Sequence, residues 1–259
     1  GSLSASAVRA IGAHGQTVRH QPQAFDGTGY TLQLNSPALL AERLHADWVW
    51  AWEAHQVTEG YSPRPAQAGR RALAHLALGM LCLHAVRQGD AVWPGRAYQR
   101  FKDAAHMTDR LGALTALTDA HSPLAEAALE RFHALAHGDA LVLDKWFMLQ
   151  ARAPEPLGPD AGRAFARAKT LLKHRDFSMK NPNRVRSLLF TLCTGNPAAF
   201  HRSDAAGYVL WADRLMELDT LNPQVAGRLA RTMDRWAVLA EPWRSAARVL
   251  FGHDGVVRR

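Results

Sequence analysis

A chain of 259 residues, 47% hydrophobic and 21% charged, has the composition of a folded globular protein with material for one large or two modest cores, without collagen-like or disorder-type bias. Its longest apolar run, Leu76 to Leu83, stops at His84, well short of the roughly 18 residues a membrane span needs, and the residues after Gly1-Ser2 lack the basic start and apolar middle of a secretory signal. The net charge of +8 is uneven: residues 1–162 carry 14 Lys and Arg against 15 Asp and Glu, residues 163–259 carry 17 against 8, which fits either an acidic partner such as nucleic acid or a concave site for the anionic groups of peptides.

In chain order, Gly1-Ser2 reads as a cloning remnant. Residues 3–35, rich in Gly, Ser and Gln, predict irregular, partly extended structure with one alternating run, Tyr30 to Leu34, able to form a strand. Ser36-Pro37 opens a helix to about Gln56, with Leu39, Leu40, Leu44, Trp48 and Trp52 at helical spacing, and Tyr61 to Pro65 is a turn. From Ala66 the pattern is helical throughout, over 66–88, 94–105, 108–120, 123–136, 139–151, 159–173, 182–193, 204–219, 223–237 and 241–250. Breaks fall at Gly89-Asp90, Ser122-Pro123, Gly138 and the Pro154 to Pro159 loop. Helices of this length with short connections predict an all-α fold of paired antiparallel helices, stacked as an irregular armadillo-like α-solenoid without visible sequence repeats. The expected division is an N-terminal segment, 1–35, and one helical domain, 36–259.

Three Asn-Pro pairs, Asn181-Pro182, Asn196-Pro197 and Asn222-Pro223, are helix starts. The Asn side chain accepts from a first-turn N–H, and Pro has no N–H to satisfy and a pre-set φ. Arg184 and Arg186 follow the first start at once, where the helix dipole disfavours a cation by roughly 0.3–1 kcal/mol, so a negative group is expected nearby. Arg186 shares a helical face with Leu189, Phe190 and Cys193, and Arg184 with Ser187 and Thr191, which predicts a solvated Arg184 and an inward or cavity-directed Arg186. Two readings of Arg186 stand: a stem lying on apolar surface with its head in water, or an anion-binding arginine. After the third start, Gln224 at the second helical position and Arg228 one turn above it suit a carboxylate. Arg231 and Arg235 extend that stripe opposite Val225, Leu229, Met233 and Trp236, the pattern of a solvated face. Within the apolar run Leu141 to Leu149, adjacent Asp144 and Lys145 cannot face each other and must each find another partner or water.

Familiar catalytic constellations are missing. His133 and His137 stand at the spacing of a zincin helix, but Ala134 occupies the place of the Glu general base. His106, His174 and His201 are expected to make helix-end hydrogen bonds. There is no P-loop or G-x-S-x-G, and Gly27-Thr28-Gly29 lacks the rest of a dinucleotide site. The carboxylate pairs Glu126/Glu130 and Asp213/Glu217 read as solvated faces. Cys82 and Cys193, without metal-type spacing, predict buried free thiols and a cytoplasmic location. Five tryptophans, Trp48, Trp52, Trp146, Trp211 and Trp236, lie in apolar stripes where core packing is expected.

Five blocks carry a resemblance: MTDRLGALTAL at 107–117, LVLDKWFMLQA at 141–151, HRDFSMKNPNRVRSLL at 174–189, NPAAFH at 196–201 and GYVLWADRLMELDTLNPQVAGRL at 207–229. Together they resemble the C-terminal helical domain of bacterial aminopeptidase N, a zinc exopeptidase family of the gluzincin group. The likeness is dense from about Ala66 to Arg231, thinner from Ser36 to Pro65 and beyond Arg235, and absent before Ser36. It implies a domain that packs on a separate catalytic domain, closes its active site into a chamber, and lines that chamber with Arg186, Gln224 and Arg228 as substrate-binding residues. Zinc would belong to the parent enzyme. The chain itself is expected to hold no catalytic or metal-binding residue, to take up no stoichiometric zinc, and to meet neither nucleic acid nor membrane. The other reading is a freestanding α-solenoid scaffold whose basic half binds an acidic protein segment or nucleic acid.

Overall fold

The computed structural model describes residues 16–25 and 28–34 as backbone, and residues 36–136, 138–156 and 158–253 beyond them. Strand β1 (Gln16–Phe25) pairs antiparallel with β2 (Thr28–Leu34), with register shifts between Thr17 and Arg19 and between Gln21 and Phe25. The strand expected at Tyr30 to Leu34 is therefore the second arm of a hairpin, more regular than the irregular segment expected there. Gly1-Ser2 lies outside the described residues.

Beyond the hairpin, every regular element among the described residues is a helix, and the chain divides into two compact units between Ala128 and Leu129. The stretch expected as one helical domain, 36–259, includes residues of both units.

In the first unit, the helix expected to run to Gln56 breaks at Leu44 (φ −107°, ψ 25°) into α1 (Pro37–Arg43) and α2 (His45–Ala54). Ser36 caps α1 by accepting from the Leu39 N–H at 3.3 Å. The long α3 (Pro65–Gln88) starts on Pro65 and ends where Gly89 takes φ +70°. Trp48 and Ala51 of α2 are buried with Leu78, Leu81 and Cys82 of α3, and each fully buried aliphatic of this kind contributes about 1.5–3 kcal/mol. α4 (Val92–Asp103) and α5 (Met107–Asp119) complete this unit's helix pairs. Arg71, 4% exposed, holds the Tyr61–Pro65 turn: its Nη2 donates to the Ser62 carbonyl at 2.7 Å and its guanidinium lies 4.7 Å over the Tyr61 ring.

Asp109 in the first turn of α5 gathers Arg100 Nη2 at 2.8 Å and His75 Nε2 at 3.1 Å. The His75 ring sits so close to Gly112 that a Cβ there would meet it at 2.5 Å. The MTDRLG stretch thus owes its glycine to a packed imidazole.

α6 (Ala125–Leu135) runs across the division. In the second unit, α7 (Ala140–Arg152) starts on Asp139, which accepts from the N–H groups of Leu141 and Val142. α8 (Arg163–Leu171) packs on α7, and Glu155 accepts from its Ala164 and Phe165 N–H groups at 3.0 and 3.1 Å. The three Asn-Pro starts behave as their chemistry dictates. Asn181 accepts from Asn183 and Arg184, Asn196 from Ala199 and Asn222 from Val225. Asn196, 2% exposed, also donates to the carbonyls of Ala151 (3.1 Å) and Ala153 (2.7 Å), tying the end of α7 to the short helix Pro197–Phe200.

The run from Pro182 is one helix interrupted by a π turn: α9 (Pro182–Val185), Arg186–Phe190 as the π segment, and α10 (Thr191–Gly195). Next comes the short helix already met, α11 (Pro197–Phe200). α12 (Ala206–Leu221) and α13 (Pro223–Ala230) pack on each other, and the helix expected to reach 237 ends at Ala230, followed by two short 3-10 turns. α14 (Trp243–His253) ends the described chain. One apolar core joins Val185 and Leu189 to Phe200, Trp211, Leu215, Val225 and Leu229, with Trp211 Nε1 donating to the Leu229 carbonyl at 3.0 Å. Gly207 is required there, since a Cβ would fall 2.0 Å from the Phe200 carbonyl oxygen.

Trp48, Trp146 and Trp211 are core residues, whereas Trp52 and Trp236 are half-buried. Both cysteines are buried free thiols, and burial pushes Cys82 up to about 12 and raises Cys193 as well.

Candidate functional site

The structure reverses the expected order of the two arginines after Pro182. Arg184 is the buried one, 4% exposed, with its Nε 3.4 Å from Asp144 Oδ1 and its guanidinium 5.0 Å from the Phe147 ring centre. Arg186 is exposed, and its Nη1 donates to Asn183 Oδ1 at 3.0 Å. The helical wheel misplaces them for two physical reasons. Leu188, one turn beyond Arg184, is buried and marks that face as inward. The π turn then widens the helix over 186–190, so a 3.6-residue spacing no longer tracks its faces. Asp144 answers two expectations together: it is the negative group required near this helix start, and Arg184 is the partner it needs on an apolar helix.

Gln224 and Arg228 are exposed on one side of α13, one turn apart. With Asn222 holding the Val225 N–H, the Gln224 N–H keeps no partner within its helix. Arg186 rises from a helix packed on α7, and Gln224 and Arg228 from one packed on α12. Both helices contribute to a common core, since Val185 and Leu189 from the first and Val225 and Leu229 from the second belong to it. Arg231 is exposed and faces Asp234 at 3.5 Å, and Arg235 is exposed, in line with a solvated stripe. None of the three predicted residues lines the cavity of about 420 Å³ beside Leu172, Phe177, Met179, Lys180 and Leu221, where Arg214 is already paired with Glu217.

The histidines take hydrogen-bonding roles. His106 caps α5 by accepting from Asp109, His174 Nδ1 accepts from the Asp176 N–H, and His201 Nδ1 bonds the Tyr208 hydroxyl at 2.7 Å. His137 lies outside the described residues. Its sequence partner His133 turns to Asp176 instead, Nε2 to Oδ2 at 2.9 Å. With Ala134 in the place of the general base, this helix lacks the residue set of a zincin-type hydrolytic site. Glu126, Glu130 and Asp213 are exposed, as solvated carboxylates should be.

A family model described as a domain of unknown function (DUF3458_C) with ARM repeats matches residues 23–250. The chain belongs to this family. Aminopeptidase N of Escherichia coli strain K12 is 34% identical to this DUF3458_C chain over 196 residues, 76% of the chain and 21% of that protein. A crystal structure of Legionella pneumophila aminopeptidase A in complex with aspartic acid superposes with a TM-score of 0.71 at 26% identity, covering 83% of the chain and 25% of that protein. The chain thus spans about a quarter or less of the aminopeptidases it matches. A shorter likeness has another source: anhydro-N-acetylmuramic acid kinase of Albidiferax ferrireducens is 65% identical over 60 residues, 23% of this chain and 15% of the kinase.

Proposed function

We propose that this chain is the C-terminal, non-catalytic region of a zinc aminopeptidase that removes N-terminal amino acids from peptides. Its share of the work is to pack on the catalytic domain, close the active-site chamber, and hold the peptide downstream of the scissile bond through Arg186, Gln224 and Arg228. The observation that carries this reading is electrostatic. Arg184 is neutralised internally by Asp144 and Arg231 meets Asp234, whereas Arg186 and Arg228 have no carboxylate partner among the described residues. An exposed guanidinium next to an amide and a free helix-start N–H is suited to a carboxylate or a carbonyl.

The catalytic zinc and the general base would come from the part of the parent enzyme outside this chain. Two buried free thiols accord with a reducing compartment such as the cytoplasm, and no described helix is long and apolar enough to cross a membrane. The kinase likeness covers too little of that protein to carry a kinase function. The test is direct: the purified chain, supplied with Zn²⁺, should leave aminoacyl reporters uncleaved. Zinc-dependent cleavage by the chain alone would overturn the non-catalytic assignment.

A further inference from the structure

His133 on α6 and the pair His174 and Asp176, in the loop after α8, bring three ligand atoms within 4.8 Å of one another. We propose that these three side chains bind a divalent transition-metal ion of the zinc class, as a three-ligand site with its remaining coordination open to water. Such uptake departs from the sequence expectation of no stoichiometric zinc.

The donor set is two imidazoles and one carboxylate, which suits Zn²⁺ or Co²⁺ and not the all-oxygen preference of Mg²⁺ or Ca²⁺. Asp176 Oδ2 lies 2.9 Å from His133 Nε2 and 3.6 Å from His174 Nδ1. Two ligands bound at about 2.0–2.1 Å in tetrahedral geometry sit roughly 3.3 Å apart, a value the two observed separations bracket. The two imidazole nitrogens lie within 4.8 Å of each other, and meeting this spacing takes rotation of the Asp176 carboxylate together with a closer approach of the two rings.

Aromatic packing pre-positions the rings. Trp146 lies 4.6 Å from the His133 ring and 5.1 Å from the His174 ring, and Phe147 lies 5.8 Å from the latter. Trp146 is itself fixed, its Nε1 donating to the Leu129 carbonyl at 3.0 Å. Rigid support of this kind separates a usable site from a chance gathering. The side chains of His133, His174 and Asp176 are 25%, 29% and 31% exposed, so an ion has a path in.

The hydrogen bond between His133 Nε2 and Asp176 Oδ2 gives up its proton as both atoms become ligands, and two further contacts must yield. The Asp176 N–H, which donates to His174 Nδ1 at 3.2 Å, gives up that nitrogen to the ion, and Arg175, whose Nε is 3.8 Å from Asp176 Oδ2, swings away. The first is a long bond. The second involves a side chain 81% exposed and free to move. Zincin-type spacing points to His133 with His137, and the partner that matters lies 41 positions beyond His133 in sequence. Only the H-x-D step of His174 and Asp176 is visible along the chain.

The test is a Co²⁺ titration of the whole chain after chelator treatment. The expected result is a visible absorption band saturating at one equivalent, displaced by Zn²⁺, with the melting temperature raised by either ion. Asp176→Asn and His174→Gln, each confirmed folded by circular dichroism, should weaken uptake by more than the ~10–100-fold that loss of a supporting contact costs. No stoichiometric uptake by the folded wild-type chain would overturn the proposal. So would uptake equally strong in both variants. Neither outcome bears on the peptide-binding reading, which rests on other residues.

Discussion

Arg184 and Asp144 form an ion pair across two helices, Nε to Oδ1 at 3.4 Å, with side chains only 5% and 16% exposed. Such a pair gains less than its Coulomb attraction suggests, because both groups give up water, but removing one partner strands the other. Arg184 Nε and Nη1 and Asp144 Oδ1 have no hydrogen-bond partner, so charge attraction and the Phe147 ring face are what hold the guanidinium. Arg184→Ala is therefore expected to destabilise the second unit by about 3 kcal/mol, read as a lower urea midpoint. A double-mutant cycle with Asp144→Ala should show the two changes to be far from additive.

Gly207→Ala tests the closeness of α12 to the end of α11. The new methyl would overlap the Phe200 carbonyl oxygen, a backbone atom unable to swing aside, and the expected cost is about 3 kcal/mol, at the upper end for overpacking. Gly227→Ala, where a Cβ meets nothing within 4 Å, should be neutral or slightly stabilising in the same thermal melt.

Acid should weaken the first unit through His75. Burial disfavours its charged form, and although Asp109 pulls the other way, Arg100 and Arg71 add repulsion and the balance holds the imidazole below its ordinary value of 6.5. The unfolded chain takes up this proton near pH 6.5, before the folded chain does. The stabilisation is therefore complete above about pH 6.5 and is lost as pH falls through the lower folded value. Melting temperatures from pH 8 downward should show a decline that His75→Gln makes shallower. Burial lowers His174 and His201 as well, so the decline is reduced and not abolished.

Nucleic acid separates the peptide reading from a basic scaffold. The internal Arg184–Asp144 pair and Arg231–Asp234 leave fewer free cations than the sequence count suggests. Binding to duplex or single-stranded oligonucleotides should be weak and without a steep fall against log salt. A slope corresponding to several phosphate contacts would favour the scaffold.

How much of this is legible in the sequence depends on the range of each interaction. The Asn-Pro helix starts, the break at Gly89 and the buried thiols are set by local chemistry or apolar spacing, and each stands where the residues place it. The irregularities are not legible. The kink at Leu44 has no Pro or Gly to announce it, and the π turn after Arg186 changes which way side chains face without changing composition. Long-range pairs such as Asp144 with Arg184 and His133 with Asp176 join positions about 40 residues apart, and nothing along the chain marks them as partners. The aminopeptidase likeness points to Arg186, Gln224 and Arg228, and the structure places all three at exposed positions.

The most direct measurement compares two substrates in the parent enzyme that contains this region: a peptide with a free downstream carboxylate, and an aminoacyl reporter ending at the scissile bond. If Arg186 and Arg228 hold the downstream part of the peptide, Arg186→Ala and Arg228→Ala should each lower kcat/KM for the peptide by about 10- to 100-fold, the equivalent of about 1.5–3 kcal/mol for a charge-assisted hydrogen bond, and leave the reporter nearly unchanged. Equal kinetic constants for wild type and both variants on peptides of several lengths would contradict the account.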